Sequence, residues 1–163
     1  MQEFQEATIN MDTRGNVEYQ TWTPPDRHAL KLNVDAAFSS NSRIGKFGMV
    51  VCDSAGKVCL YGVSCEENVD SALHAELKAI LFGLEVAKSH FSEFFVVESD
   101  SLLAIKEISK NTESLCSWSN IISNIADLSL ESGLCSFNVV RRFTNDLAHN
   151  VAKLDCEIGG QMI

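Results

Sequence analysis

The stretch Leu30–Asp35 reads Leu-Lys-Leu-Asn-Val-Asp, an alternation of apolar and polar side chains. This pattern is typical of a β-strand that buries one face, because successive strand side chains point to opposite sides. Asp35 therefore lies on the face opposite to Leu32 and Val34, together with Asn33. Aspartate is a poor strand former, so Asp35 is either a solvated residue on an exposed sheet face or a carboxylate kept for function.

The segments that follow predict an α/β domain with the element order β-β-β-α-β-α-α-β-α. Two strands, joined by the hairpin turn Asp53–Gly56, complete a three-strand meander. The apolar run Phe94–Val97 indicates a strand buried on both faces, hence central and parallel to its neighbours. The predicted strands after the first cover 47–52, 57–63, 94–97 and 136–140, and the predicted helices cover 70–89, 101–110, 118–130 and a segment from 145. A mixed sheet with helices on both faces follows from this order.

Length and composition favour one domain. The chain has 163 residues, of which 45% are hydrophobic and 21% charged. We expect a tail or linker over residues 1–27, the domain over 28–157 and a C-terminal tail over 158–163. No apolar run is long enough to span a membrane and the first residues are acidic, so we expect an intracellular protein, in the nucleus or the cytoplasm.

Charge and cysteine usage exclude further classes. The net charge of −9 disfavours capture of a phosphate backbone, so a nucleic-acid partner requires metal ions or a local basic patch. The six cysteines are widely spaced, without a Cys-x-x-Cys pair or a zinc-type cluster. We interpret them as reduced thiols, most of them in the core, and expect no small-molecule cofactor.

Two further carboxylates occupy positions that burial disfavours. On the first predicted helix, Glu76 shares a face with Ala72 and Ile80 and so points inward, unless the helix is rolled the other way. A buried carboxylate must be neutralised, paired or bound to a cation. Asp100 follows the buried strand at its carboxyl end, where sites form in parallel sheets, although aspartate also caps helices at such places.

The predicted topology can bring these three carboxylates together. If the first and fourth strands are adjacent and parallel, Asp35 and Asp100 are neighbours, and the crossover helix carries Glu76 against the same sheet. Clustered carboxylates repel one another unless a cation compensates them. Oxygen ligands without clustered Cys or His favour Mg²⁺ or Mn²⁺, and two such ions suit an in-line phosphodiester displacement.

At these residues the chain resembles the ribonuclease H family, most closely its plant-type domains, including those of retroelement-derived proteins. The resemblance covers roughly residues 22–155 and is carried by Trp22-Thr-Pro-Pro25, Lys31-Leu-Asn-Val-Asp-Ala-Ala37, Asp53–Gly56, Ala75-Glu-Leu-Lys-Ala79, Val97-Glu-Ser-Asp-Ser101 and Arg142-x-x-Asn145-x-x-Ala148-His149-x-x-Ala152-Lys153. It implies a ribonuclease H-like fold with a mixed five-stranded sheet and Mg²⁺-dependent cleavage of the RNA strand of RNA–DNA hybrids. It also implies that Asp35, Glu76 and Asp100 are metal ligands, with Asp35 bridging two ions.

The chain departs from the family pattern at two places. His149 stands where many members supply a fourth carboxylate, as it often does in the plant-type group. An imidazole can ligate Mn²⁺ or move a proton, so His149 is a catalytic candidate, and an inert exposed histidine is the alternative. Ala72 and Leu73 stand where cellular members present Asn to the minor groove of the hybrid, which predicts weaker or less selective binding.

Contacts to nucleic acid are predicted from the basic residues and from the loops beside the carboxylates. The candidates are Arg43, Lys46, Ser101, Arg141, Arg142 and Asn145. The alternatives are solvated surface for the arginines and helix capping or loop ordering for Asn145. Trp22 and Trp118 could stack on bases, but we expect both to pack against the domain.

The sequence therefore predicts a divalent-metal-dependent endoribonuclease acting on RNA–DNA hybrids. The first alternative is a catalytically weak or inactive, retroelement-derived module that binds nucleic acid or protein, which His149, Ala72 and the acidic net charge favour. The second is another phosphodiesterase of the same fold, such as an exonuclease. The helix position of Glu76 favours a ribonuclease over the exonuclease pattern, which pairs Asp and Glu within the first strand.

Overall fold

The computed structural model describes residues 21–110, 117–131 and 135–163. Most of the tail expected over residues 1–27 lies outside this part of the chain. The strands are β1 (Ala29–Ser39), β2 (Ile44–Cys52), β3 (Val58–Glu66), β4 (Phe94–Ser99), β5 (Ser136–Val139) and β6 (Gln161–Met162). The helices are α1 (Ala72–His90), α2 (Leu102–Ser109), α3 (Ser119–Glu131) and α4 (Asp146–Ala152), and a 3₁₀ turn, Arg142–Asn145, precedes α4.

The predicted mixed sheet is confirmed. Its strand order is β5-β4-β1-β2-β3-β6, with β1 central and parallel to β4, and β4 parallel to β5. The hairpins β1–β2 and β2–β3 are antiparallel. Gly56, in the turn between β2 and β3, has a φ of 78°, a conformation that glycine adopts without strain.

The sheet has six strands instead of the five expected. Gln161–Met162 pairs antiparallel with Val63 and Ser64 of β3. The segment 158–163 carries no alternating apolar pattern that would have predicted this pairing. Its pairing is assisted by backbone hydrogen bonds between Cys65 and Gly159 and between Cys65 and Gly160.

Helices cover both faces of the sheet, as predicted. The larger core joins α1 to the face of the sheet that includes Leu32, Val34 and Val51. The adjacent Val50 belongs to a second core on the opposite face, with Val151 of α4. None of the described helices has the length and apolar character needed to cross a bilayer.

Two glycines allow α1 and α4 to approach the central strands closely. A Cβ at Gly83 of α1 would lie 2.7 Å from Val34 Cγ1, so this helix packs directly on β1. A Cβ at Gly48 would lie 2.4 Å from the backbone nitrogen of Ala152 in α4. Gly48 pairs in register with Asp35, so α4 packs on the sheet beside that carboxylate.

Candidate metal centre

Asp35 lies near the middle of β1, and only 2% of its surface is exposed. It shares a strand face with Lys31 and Asn33, as the alternation predicts, but this face is buried beneath α4 and Trp22. Asp35 is therefore not a solvated residue on an open sheet face.

Asp100 follows β4 directly and lies beside Asp35. The last aligned pair of β1 and β4 is Asn33 with Glu98, so Asp35 and Asp100 stand two residues further along their parallel strands. The residue that caps α2 is Ser101, whose hydroxyl accepts a hydrogen bond from the Ala104 backbone N–H at 3.2 Å. The carboxyl group of Asp100 is thus free for another role.

Glu76 reaches the same point from α1. The aligned pairs of β1 and β4 end at Asn33 and Glu98. Further along β1, the Ala36 backbone N–H donates a hydrogen bond to the Glu76 carboxyl. The other oxygen, Oε2, is buried without a hydrogen-bond partner among the described residues. Ser71 caps the N-terminus of α1, and its hydroxyl accepts a hydrogen bond from the His74 backbone N–H.

The three side chains form one cluster. Asp35, Glu76 and Asp100 each offer an oxygen, and these oxygens all lie within 4.8 Å of one another. We call this group the carboxylate cluster. The orphaned Glu76 oxygen and an all-oxygen donor set fit a hard divalent cation. The three residues expected to hold a metal are therefore brought together.

The charges within the cluster oppose its ionisation. Burial, followed by the negative charges of Asp35 and Asp100, raises the pKa of Glu76 to about 8. Burial and Asp35 also raise the pKa of Asp100 above its ordinary value. Arg142 acts in the opposite direction on both groups, so its guanidinium lies within electrostatic range of the cluster. A bound cation would relieve the repulsion that remains.

His149 lies inside the site. Its Nδ1 is 2.7 Å from Asp35 Oδ2, and 17% of its side chain is exposed. The alternative of an inert surface histidine is therefore not supported. Arg142 Nη2 lies 3.3 Å and 3.4 Å from the two ring nitrogens, so the guanidinium and the imidazole are in contact at the edge of the cluster.

The other predicted nucleic-acid contacts have different environments. Arg43 has a φ of 53° and forms an exposed ion pair with Asp70, which offsets part of its charge. Lys46 Nζ is 3.4 Å from the Leu154 carbonyl and stays partly exposed. Arg141 is partly exposed, and its carbonyl oxygen accepts from the Thr144 hydroxyl.

Asn145 requires a different role from the predicted one. Only 1% of its surface is exposed, and its amide is engaged within the protein. Its Nδ2 donates to the Val34 carbonyl at 2.8 Å, and its Oδ1 accepts from Asn33 at 3.1 Å. It makes no side-chain cap to α4. We therefore assign Asn145 to fixing the start of α4 against β1, the loop-ordering alternative, and not to contacting nucleic acid.

A second set of buried polar side chains lies beside the carboxylate cluster and was not predicted from the sequence. Lys31 Nζ is 2.6 Å from Glu98 Oε1, and Asn33 donates to Glu98 Oε2 at 2.9 Å. Asn33 also accepts from Trp22 Nε1 at 3.1 Å. We call Lys31, Asn33, Glu98, Asn145 and Trp22 the paired network. Its sequence signal is a run of alternate polar residues on two central strands, which indicates a buried polar face.

The two tryptophans pack against the domain, as expected. Trp22 contacts the second core and lies beneath the Lys31 ammonium, which is 5.2 Å from its ring centroid. Trp118 packs against the main core.

Comparison with known proteins gives the family of this chain. The model of the reverse transcriptase-like family matches residues 33–155, which include the whole carboxylate cluster and His149.

The chain belongs to this family. Its domain is ribonuclease H-like, as the sequence resemblance indicated. The comparison with curated proteins finds no match.

Solved ribonuclease H structures share the fold of this family member. RNase H1 from the halophilic archaeon Halobacterium salinarum superposes with a TM-score of 0.67 at 21% identity, covering 76% of this chain and 93% of its own. The N-terminal RNase H domain of a Mycobacterium tuberculosis protein, determined as a fusion with maltose-binding protein, gives 0.67 at 17% identity, covering 76% and 95%. LC11-RNase H1, in complex with an RNA/DNA hybrid, gives 0.66 at 16% identity, covering 75% and 92%.

Proposed function

We propose that this protein is a divalent-metal-dependent endoribonuclease that hydrolyses the RNA strand of RNA–DNA hybrids. The observation that carries the proposal is the carboxylate cluster, in which the Glu76 Oε2 atom is buried and unpartnered next to two other carboxylates. Structural ion pairing does not explain such an arrangement, because a purely structural carboxylate of this burial is normally paired. The ribonuclease H-like fold supports a nuclease role at the level of the family.

The residues divide the chemistry among them. Asp35, Glu76 and Asp100 would hold Mg²⁺ or Mn²⁺, which supplies a Lewis acid for the phosphate oxygens and for the attacking water. Asp35 fixes the orientation of the His149 ring through Nδ1. The other ring nitrogen, Nε2, lies 3.4 Å from Arg142 Nη2 and is the atom that could transfer a proton at the edge of the site. Arg142 offers a positive charge to a phosphate placed against the cluster.

The substrate proposal depends on the groups around this centre. Arg141, Arg142 and Lys46 provide the local positive charge that an acidic protein needs to hold a phosphate backbone. The Ser101 hydroxyl lies next to Asp100 and can contact the same strand. One relative of this fold was solved with an RNA/DNA hybrid bound, which supports this class of substrate. Such a substrate implies action inside the cell, in the nucleus or the cytoplasm.

The test is cleavage of a labelled RNA–DNA hybrid by the purified protein in Mg²⁺ and, separately, in Mn²⁺. We expect cuts within the RNA strand only. Asp35→Asn should reduce the rate by about 10³-fold or more, because losing a metal ligand removes several kcal/mol of charge stabilisation. Asp127→Asn, which makes the same change on an exposed residue of α3, should cleave like the wild type.

Two results would contradict the proposal. Cleavage that persists unchanged in Asp35→Asn would assign the activity to a contaminating nuclease. Absence of cleavage in both metals, with the protein folded and the hybrid bound, would favour the alternative function.

That alternative is a retroelement-derived module that binds nucleic acid without cleaving it. The observation in its favour is the apolar surface beside the cluster. Ala72 is exposed and Leu73 half-buried, where cellular ribonucleases H present amides, and Leu102 and Leu103 next to Asp100 are 49% and 63% exposed. Hydrogen bonds to 2′-hydroxyl groups require polar side chains at such positions. A binding assay with the same hybrid, run beside the cleavage assay, separates the two functions.

A further inference from the structure

The ion number at the centre depends on how many Asp35 oxygens are available. An ionised carboxylate offers about four acceptor positions on its two oxygens, and each bound ion or hydrogen-bond donor takes up at least one of them. In this protein Oδ2 of Asp35 is 2.7 Å from His149 Nδ1, a full-strength hydrogen bond in which the imidazole donates. This bond leaves both acceptor positions of Oδ1 and one of Oδ2. The imidazole ring therefore takes up space against Oδ2 of Asp35, where a second cation would have to bind.

His149 is held in this place from several sides. Gly48 lets the α4 backbone pack directly on β2, opposite Asp35. Asn145, at the start of α4, is buried and bonded to the backbone of Val34 and to the side chain of Asn33. Because α4 and the Asn145 residue that precedes it are fixed to the sheet, the backbone of His149 cannot move away from Asp35 without disturbing a buried contact.

The charges around the carboxylate cluster give a second argument for a single bound cation. The Arg142 guanidinium touches the His149 ring and acts electrostatically on both Glu76 and Asp100. Carboxylates bind a cation in their deprotonated form, and in that form three carboxylates and one guanidinium leave two uncompensated negative charges, which one divalent cation neutralises. A second divalent cation would give the centre a net positive charge and would lie against the guanidinium, where repulsion disfavours it.

We propose that this centre binds a single divalent cation, and that His149 and Arg142 together occupy the position of a second one. This inference rests on the proposed function and limits it to a one-ion site, instead of the two ions that the family resemblance implied. Arg142 supplies the fixed positive charge on the side where the second ion would stand.

The test counts bound Mn²⁺ directly. The protein is titrated with Mn²⁺, alone and in complex with a hybrid whose RNA strand carries 2′-fluoro groups and is verified to remain uncut. Equilibrium dialysis gives the number of ions, and electron paramagnetic resonance distinguishes an isolated Mn²⁺ from a magnetically coupled pair. We expect one ion per chain and an uncoupled spectrum in both samples.

Variants address the two residues separately. His149→Asp frees the Asp35 oxygen and adds a carboxylate, so it should bind two ions with a coupled spectrum. Asn124→Asp adds the same negative charge on the exposed side of α3 and should still bind one. Arg142→Gln should bind its ion about threefold to tenfold more tightly, because a repelling charge is removed, whereas Arg142→Lys should stay near the wild-type affinity.

Each outcome has a distinct meaning. Two ions in the wild type overturn the one-ion inference and leave the nuclease proposal intact. No bound ion in either sample overturns both. A single ion in His149→Asp, with circular dichroism showing that the variant is folded, contradicts the role given to His149. If that variant does not fold, the wild-type count decides the ion number by itself.

Discussion

The carboxylate cluster and the paired network lie side by side on the same two strands, and their polar groups are satisfied in opposite ways. β1 contributes Lys31 and Asn33 to the network and Asp35 to the cluster. β4 contributes Glu98 to the network, and Asp100 of the cluster directly follows this strand. In the network, Glu98 has an ammonium on one oxygen and an amide on the other. In the cluster, Glu76 keeps an oxygen with no partner among the described residues.

This difference separates a structural from a functional use of buried polarity. Buried polar groups whose partners come from the chain itself hold β1, β4 and α4 against one another, and they need no bound ion to be stable. Buried carboxylates that face one another raise each other's pKa and destabilise the fold until a cation arrives. Removing one side chain of the paired network should therefore destabilise the protein. Neutralising one carboxylate of the carboxylate cluster should stabilise it.

The largest effect is expected from breaking the network. Lys31→Met removes the ammonium and leaves Glu98 buried with a missing partner, so the free energy of unfolding should fall by about 3–5 kcal/mol. Urea denaturation measures this change. Lys57→Met, on an exposed residue at the β2–β3 turn, is the matched control and should change stability little. A loss below about 1 kcal/mol would show that the ion pair contributes little to the fold.

Cation binding should produce the next largest effect. Mg²⁺ or Mn²⁺ at about 100 times its dissociation constant should stabilise the wild type by about 2.7 kcal/mol. Asp100→Asn lacks one ligand and should gain far less. Thermal unfolding with and without the cation, followed by chelation, measures both. An equal gain in the two proteins would place the ion elsewhere.

Neutralising Glu76 should stabilise the metal-free protein. Since the pKa of Glu76 is raised from 4.5 to about 8 in the fold, the folded state binds this proton more tightly than the unfolded chain does. The resulting stability is complete below pH 4.5 and is lost as the pH rises towards 8. At pH 7 Glu76→Gln should be more stable than the wild type by on the order of 2 kcal/mol.

The pH profile distinguishes this effect from better packing. The advantage of Glu76→Gln should disappear near pH 4.5, where the wild-type carboxyl is protonated in both states. Glu67→Gln, on an exposed side chain, should show no such profile. An advantage that stays constant across the pH range would rule out cluster repulsion as its cause.

The smallest effect concerns one hydrogen bond. Trp22→Phe removes the Nε1–H that donates to Asn33 and should cost about 1 kcal/mol beyond the loss of ring volume. Trp118→Phe is the matched control, because its Nε1 is buried without a partner among the described residues. The difference between the two variants, measured by urea denaturation, isolates the hydrogen bond. Equal losses would mean that only ring volume matters.

The ligands of the proposed centre were predictable because burial conflicts with their residue type. The alternation of apolar and polar residues predicted the strand face of Asp35, and helix periodicity predicted that Glu76 points inward. The apolar strand that ends before Asp100 predicted that this residue lies at the edge of the sheet. The contact between His149 and Asp35 was not predictable, since helix periodicity sets His149 opposite Leu147 but does not say what lies on that side. Only the close packing of α4 on Gly48 brings the imidazole to the carboxylate.

The polar partners of the network were missed for a related reason. A sequence pattern shows which face a residue occupies, and Asn33 was placed correctly beside Asp35. It does not show that Glu98, which is 65 residues away, meets that amide, because this depends on the register of two parallel strands. The ion pair of Arg43 with Asp70 was missed in the same way, since it joins two loops.

The short strand β6 has a consequence for association between copies of the chain. It pairs with Val63 and Ser64 at the outer edge of the sheet, where β3 would otherwise offer unpaired backbone groups to a strand of another molecule. Residues 161–162 therefore cover this part of the β3 edge, which lowers its tendency to pair with another molecule. Shortening the chain to residue 157 would expose the backbone groups of Val63 and Ser64, and the shortened protein should aggregate more readily.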